Sequence, residues 1–276
     1  MASGQHVEES GKTKAARFFD SRKDEWQHRS ENADDYWSRR INWATQFVAK
    51  ELAKPARCLD IGCATGLFAE HLHRQGYDVY GVDISEAMVQ GAQNRMAAFG
   101  VPADHFAICD TDILPFQDET FDFLSALDVL PYVEDQPKYL EELHRILKPG
   151  ALALVNNVNR GSLFIKRHLT YRLFTCIPGG RYIVPGKWWW RQTYNLIRTG
   201  YWSGGFVNIS KAVQARSADA LDRFFMQAGF QVLGGFDTYN IRRLDRDPLR
   251  RKGWSAWAAR RWAWNHFGLY AKPTTI

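Results

Sequence analysis

The strongest chemical signal in the chain is a pair of carboxylates around a turn of small residues. Cys58-Leu59-Asp60-Ile61-Gly62-Cys63-Ala64-Thr65-Gly66 reads as a strand that ends in an acid and turns tightly into a helix. Small residues let a ligand approach the backbone there, over a helix N-terminus. Asp83 ends the next strand seventeen residues past Gly66, where a carboxylate can accept both hydroxyls of a ribose. Two nucleoside ligands compete for this pattern. A dinucleotide site asks for G-x-G-x-x-G, and Ala64 and Leu67 stand at its second and third glycine positions. The alternative, D-x-G-x-G-x-G, is met by Asp60, Gly62 and Gly66, with Ala64 as the single departure. An alanine there requires that the turn keep a negative φ. An acid this close to the turn suits a ligand with ammonium and sulfonium charges and no phosphate, which describes S-adenosylmethionine (SAM). Carboxylates ending buried strands are costly without a partner, so Asp60 and Asp83 call for one.

Positioning these residues needs strands and helices in alternation. Trp37, Ile41, Ala44, Val48 and Leu52 recur at helical spacing up to Pro55. Arg57–Ile61 reads as a buried strand, Leu67–Gln75 as a helix ended by Gly76, and Tyr77–Val82 as a second strand, with Ser85 capping the helix after it. His105–Cys109, Phe121–Leu127 and Ala151–Asn156 add three strands; a helix from Pro137 carries Leu140, Leu143 and Leu147 on one face and ends at Pro149-Gly150. Ser217 caps a further helix through Leu221, Phe224 and Phe225, followed by strands at Phe230–Tyr239 and His266–Ala271. The alternation predicts an α/β fold, a doubly wound and mostly parallel seven-stranded sheet. Residues 1–35 read as a disordered tail and N-terminal cap, and residues 36–276 as one domain with insertions at about 159–213 and 242–264.

In this order and spacing the motifs resemble the class I SAM-dependent methyltransferases, over roughly residues 36–157 and 215–272. The resemblance includes Cys109-Asp110-Thr111-Asp112-Ile113-Leu114-Pro115-Phe116, Thr120-Phe121-Asp122, Asp128-Val129-Leu130-Pro131-Tyr132-Val133 and Leu147-Lys148-Pro149-Gly150. It implies that Asp60 and the turn Gly62, Cys63, Ala64 and Gly66 face the methionine end, and that Asp83 holds the ribose. Ile84 and Met88 would pack on the adenine. Asp110 would accept from its amino group beside the Thr111 amide, and Leu127 and Asp128 would border the sulfonium. Asp110 capping a turn and Met88 serving as plain helix core are the bland alternatives. Where many members carry histidine this chain has Tyr132, which suits orienting a substrate better than taking a proton. His168 is the next candidate base, and Asp128 a third catalytic candidate.

Composition bears on the acceptor. The 276 residues are 45% hydrophobic and 24% charged, ordinary globular usage that excludes wholesale disorder. No apolar run approaches the ~18 residues of a spanning helix, and the polar opening carries no export signal. Cys58, Cys63, Cys109 and Cys176 have neither zinc-site nor disulfide-frame spacing, so no metal is expected and reduced thiols in the cytoplasm are. Residues 1–142 hold 14 Lys/Arg against 25 Asp/Glu, net −11, whereas residues 143–276 hold 22 against 5, net +17. No acid occurs between Leu143 and Ala218, and eight of eleven tryptophans lie in this half. A solvated face is the usual meaning of a charge run. A stretch emptied of acids points instead to an anionic partner: membrane headgroups, a phosphorylated substrate or nucleic acid.

The basic, apolar segment after the fifth strand, opening with Asn157-Val158-Asn159-Arg160-Gly161, is similar to the membrane-facing substrate lid of the ubiquinone-pathway O-methyltransferases. Independently, Trp188, Trp189, Trp190 and Trp202 interleave with Lys187, Arg191 and Arg198, the chemistry of a headgroup interface. The leading reading is an O-methyltransferase acting on a lipophilic or lipid-linked small molecule, peripheral on an anionic membrane. A soluble natural-product or sugar methyltransferase, an RNA methyltransferase using the basic half, and a non-catalytic cofactor-binding protein are the alternatives.

Overall fold

Segments such as Cys58-Leu59-Asp60-Ile61 and Phe121-Asp122-Phe123-Leu124 put apolar side chains on both faces of an extended chain, so helices must cover the sheet above and below. The computed structural model describes residues 11–32, 35–111, 113–158, 218–238 and 265–274. Its strands are β1 (Arg57–Ile61), β2 (Asp78–Asp83), β3 (Phe106–Ile108), β4 (Phe121–Ala126), β5 (Leu147–Val158), β6 (Gln231–Thr238) and β7 (Asn265–Ala271). They form one seven-stranded sheet in the order β3-β2-β1-β4-β5-β7-β6. The first five run parallel, and β7 lies antiparallel between β5 and β6. The strand order reverses at β1 and β4, so a crevice opens beyond their carboxyl ends. The doubly wound expectation holds.

Helices α3 (Tyr36–Glu51), α4 (Leu67–Arg74) and α5 (Glu86–Ala97) cover one face, with Ala44, Val48, Phe68, Leu72, Ala92 and Met96 packed on Cys58, Val79 and Phe123. Helices α6 (Gln136–Ile146) and α7 (Ala218–Gln227) cover the other, with Leu140, Leu143, Leu221 and Phe225 packed on Leu59, Ile61, Leu124 and Val155. Adjacent strand residues thus point to opposite layers, Cys58 to one and Leu59 to the other. Full burial of each large apolar side chain contributes ~1.5–3 kcal/mol.

Two details depart from expectation. Helix α6 stops at Ile146, and Lys148-Pro149-Gly150 already belong to β5. A residue before proline is pushed toward extended backbone, and here the end of β7 is available to pair: the Gly150 amide donates to the Lys272 carbonyl at 2.8 Å. The second departure is the disordered tail. Residues 11–31 form two helices, α1 (Gly11–Asp20) and α2 (Lys23–Glu31). Ala15 is buried and Phe19 meets the Tyr132 ring edge-on, with centroids 5.8 Å apart. Asp20 accepts from the Ser85 hydroxyl at 2.6 Å and from the Ala87 amide at 3.2 Å, joining the Ser85 cap of α5. No residue of α2 is buried, so its polar sequence carried no amphipathic signal; it is held by contacts such as Trp26 with Trp37 and Arg95 with the Ser30 hydroxyl. The insertions at about 159–213 and 242–264, His168, Ser217 and Trp188–Trp190 lie outside the described residues.

Candidate active site

Three strand ends and the turns beyond them build the site. After β1 the chain turns through Gly62 (φ 72), Ala64 (φ 46) and Gly66 (φ 78) into α4. A β-carbon at Gly62 would run into Val129 Cγ2, and one at Gly66 would meet the Ala92 Cα of α5 at 3.0 Å. Close approach and positive φ therefore both require glycine at these two positions. Ala64 is in the left-handed region too, which corrects the expectation of negative φ. The compensation is visible: the Ala64 amide donates to Asp83 Oδ2 at 2.9 Å, while the Gly62 and Cys63 amides donate to the Val82 carbonyl at 2.8 and 3.0 Å.

Asp83, at the end of β2, thus holds the turn. Its Oδ1 accepts from the Ser85 amide at 3.0 Å. Each carboxylate oxygen has two lone pairs, and the Ala64, Ser85 and Ile84 amides do not exhaust them, so the group can still accept from a ligand. Burial raises its pKa, with backbone hydrogen bonds from Ser85 and Ala64 opposing. Asp60, on β1, is buried and accepts from the Ser125 hydroxyl of β4 at 2.6 Å. Burial pushes it up to about 7, Ser125 opposing, the Asp83 charge adding to the rise and Arg40 resisting it. Cys63 is buried, and its thiol is pushed well up by that burial, so it contributes backbone and not a thiolate.

Beyond β4, Leu127 is half-buried and Asp128 has φ 61. Both Asp128 oxygens are engaged, one by Arg40 Nη1 of α3 and one by Asn156 Nδ2 of β5 at 2.7 Å; the Asp128 amide donates to Asn156 Oδ1. Tyr132 follows on a short helical turn, its phenol raised by burial and then by the Asp128 charge, so it keeps its proton near neutrality. Met88 is fully buried in α5, and Ile84 is half-buried at the end of β2. Asp110, just past β3, pairs with Lys12 Nζ of α1 at 2.7 Å. The neighbouring Cys109 amide donates to the Asp83 carbonyl at 2.9 Å, so Asp110 and Thr111 lie next to the β2 end.

The structure therefore brings Asp60, the 62–66 turn, Asp83, Leu127 and Asp128 to one edge of the sheet, with Asp110 beside it. Sequence reading missed Arg40, Ser125, Asn156 and the α1 contacts from Lys12, Phe19 and Asp20. One signal was present: Arg40 precedes Ala44 and Val48 by four and eight residues, a charge on the apolar face of α3. Among the described residues no group of three or more His, Cys, Asp or Glu side chains could hold a metal ion. The donor set fits SAM: two buried carboxylates suit a ligand that brings ammonium, sulfonium and ribose hydroxyls, and the cation at the turn, Arg95, is engaged by the Thr65 carbonyl and by Glu70.

Comparison with known proteins agrees. The family model described as a methyltransferase domain matches residues 31–234. A ubiquinone biosynthesis O-methyltransferase of Pseudomonas syringae pv. tomato is 31% identical over 121 residues, 44% of this chain and 51% of its own length. A demethylmenaquinone methyltransferase of Geobacillus kaustophilus is 29% identical over 199 residues, 70% of this chain and 78% of its own. The fold is that of a SAM-dependent methyltransferase from Thermotoga maritima, a possible histamine N-methyltransferase, at TM-score 0.57 and 21% identity, covering 95% of this chain and 100% of that one. The chain belongs to the methyltransferase domain family, as a class I SAM-dependent methyltransferase.

Proposed function

We propose that the protein O-methylates a lipophilic or lipid-linked small molecule while peripheral on an anionic membrane in the cytoplasm. The observation that carries this reading is that the names of two relatives, from Pseudomonas and from Geobacillus, both refer to quinones. The acid-free stretch from Leu143 to Ala218, with its interleaved Trp and Lys/Arg, supports the membrane part. Among the described residues no helix is long and apolar enough to cross a membrane.

When bound, SAM supplies an electrophilic methyl group on sulfur for an in-line displacement. Asp60, once ionised, receives the ammonium of the methionine end. Asp83 takes the ribose hydroxyls on lone pairs that the Ala64 and Ser85 amides leave open. Ile84, with Met88 buried behind it, would wall the adenine, and Asp110 would accept from its amino group next to the Thr111 amide. Leu127 borders the sulfonium. Asp128, held by Arg40 and Asn156, shapes the site and does not take the acceptor's proton. Tyr132 keeps its own proton and orients the acceptor, which leaves His168 as the candidate base. Alignment and exclusion of water supply most of the rate in such a transfer.

The test is transfer of labelled methyl from SAM into a cell extract, followed by separation of lipid, aqueous and RNA fractions. Label in the lipid fraction supports the proposal. Label confined to the aqueous or RNA fraction replaces it with a soluble small-molecule or an RNA acceptor.

A further inference from the structure

We propose that Asn156 is a positioning residue of the cofactor site, acting through Asp128 and Val129 on the Gly62 turn. The inference rests on the cofactor reading above and adds a residue that the motifs do not mark.

Asn156 stands near the carboxyl end of β5 with no exposed surface. A buried carboxamide must find partners for its donor and its acceptor. Both are on one residue: Oδ1 accepts from the Asp128 amide, and Nδ2 donates to Asp128 Oδ1 at 2.7 Å. The reversed carboxamide would set N–H against N–H and oxygen against carboxylate, so the network itself assigns the orientation. Asp128 needs such a hold. Its φ of 61 lies in the left-handed region, where an L-residue is at a disadvantage that only surrounding structure overcomes. Arg40 of α3 supplies the other half, a buried ion pair to Oδ2. Two elements remote in sequence, β5 and α3, thus grip one turn.

What the grip positions is the next residue. Val129 Cγ2 fills the space a side chain at Gly62 would occupy, so the turn after β4 is the wall against which the cofactor turn is shaped. The same strand ties to β1 through Ser125 and Asp60 at 2.6 Å. Loosening Asn156 frees Asp128 to leave its left-handed conformation, lifts Val129 from Gly62 and moves Leu127. An asparagine that served stability alone would lower the melting temperature and leave the cofactor's affinity where it was.

The experiment titrates SAM and its demethylated product into wild type, Asn156→Ala and Asn156→Asp by calorimetry, with folding checked by circular dichroism and thermal melting. For Asn156→Ala the expected result is a folded protein whose SAM Kd rises about tenfold or more. Asn156→Asp sets two carboxylates face to face, and near pH 8 it should bind at least as poorly. Two such carboxylates share one proton as the pH falls, and the shared O–H can replace the lost N–H donor. The affinity of its folded fraction relative to wild type should therefore recover several-fold between about pH 8 and about pH 5.5, whereas a purely structural residue would recover its melting temperature with the Kd of the folded protein unchanged throughout. If Asn156→Ala does not fold, that recovery of affinity decides alone. Asn156→Ala binding SAM with the wild-type Kd, or Asn156→Asp showing no recovery at lower pH, overturns the positioning role. Wild type failing to bind SAM at all would overturn the cofactor reading itself, and this inference with it.

Discussion

The turns after β1 and after β4 pack against each other at the carboxyl ends of adjacent strands, and each carries a non-glycine residue in the left-handed region, Ala64 at φ 46 and Asp128 at φ 61. They are held in opposite ways. The first is made of small residues and backbone bonds: Gly62, Gly66 and two amides on the Val82 carbonyl, with the Asp83 side chain taking the Ala64 amide. The second is held by side chains from elsewhere, Arg40 of α3 and Asn156 of β5. Backbone-shaped turns tolerate little change of side-chain size but keep their form when neighbours vary. Side-chain-clamped turns depend on partners that local sequence does not announce.

The largest effect should come from breaking the clamp at its charge. Arg40 and Asp128 are 5% and 15% exposed, so Arg40→Met leaves a carboxylate in a poorly hydrated site. Removing one member of a buried pair costs about 3–5 kcal/mol, readable as a lower midpoint in urea unfolding. A loss within ~0.5 kcal/mol would mean that the pair is solvated in solution.

Next is the contact between the two turns. Gly62→Ala brings both a clash with Val129 and a β-carbon at φ 72, and should destabilise by about 1–3 kcal/mol. Val129→Ala should relieve part of that, so the two substitutions should be non-additive in a double-mutant cycle. Additivity would separate the turns that the packing joins.

Asp83→Ala removes a ligand acceptor and the anchor of the Ala64 amide together. We expect SAM binding to weaken by ~1.5–3 kcal/mol, roughly ten- to hundredfold, in calorimetry. Unchanged affinity would remove Asp83 from the site.

The pH dependence sharpens the same side. Asp60 is raised to about 7 in the folded protein, above its ordinary carboxylate value. Between about pH 4 and about 7 the native state therefore holds a proton that the unfolded chain has released, and stability without ligand should fall as pH rises across that window. Binding of an ammonium favours the ionised form, so SAM affinity should rise as pH rises through the same value. Asp60→Asn should flatten both profiles, and profiles that keep their slope in that variant would assign them to another group.

Ala64→Gly should do least. Relief of left-handed strain of ~1–2 kcal/mol is offset by the added chain freedom of glycine, ~0.5–1 kcal/mol, leaving at most a small gain in melting temperature and an intact SAM Kd. A large loss of affinity would give the alanine methyl a role of its own.

Local pattern determined a good deal of this protein. The alternation of buried strands and amphipathic helices specified the doubly wound sheet, because strand and helix periodicities are written in neighbouring residues. Asp60, Gly62, Gly66 and Asp83 were legible for a related reason: a tight turn between strand and helix needs particular residues at fixed spacing, whatever packs around it. Tertiary structure decided the rest. Ala64 adopts positive φ because the Asp83 carboxylate, nineteen residues away, receives its amide. Residues 11–31 are helical because Asp20, Lys12 and Ser30 find partners on α5 and beyond β3; the polar run of α2 buries no residue and shows no periodicity that would forecast this, whereas Ala15, Phe18 and Phe19 of α1 do recur at helical spacing. Arg40 and Asn156 lie 88 and 28 residues from Asp128. Only the closing of α3 and β5 around the end of β4 turns a charge on an apolar helix face and an amide at a strand end into one clamp, because a buried polar group is specified by the partner that satisfies it.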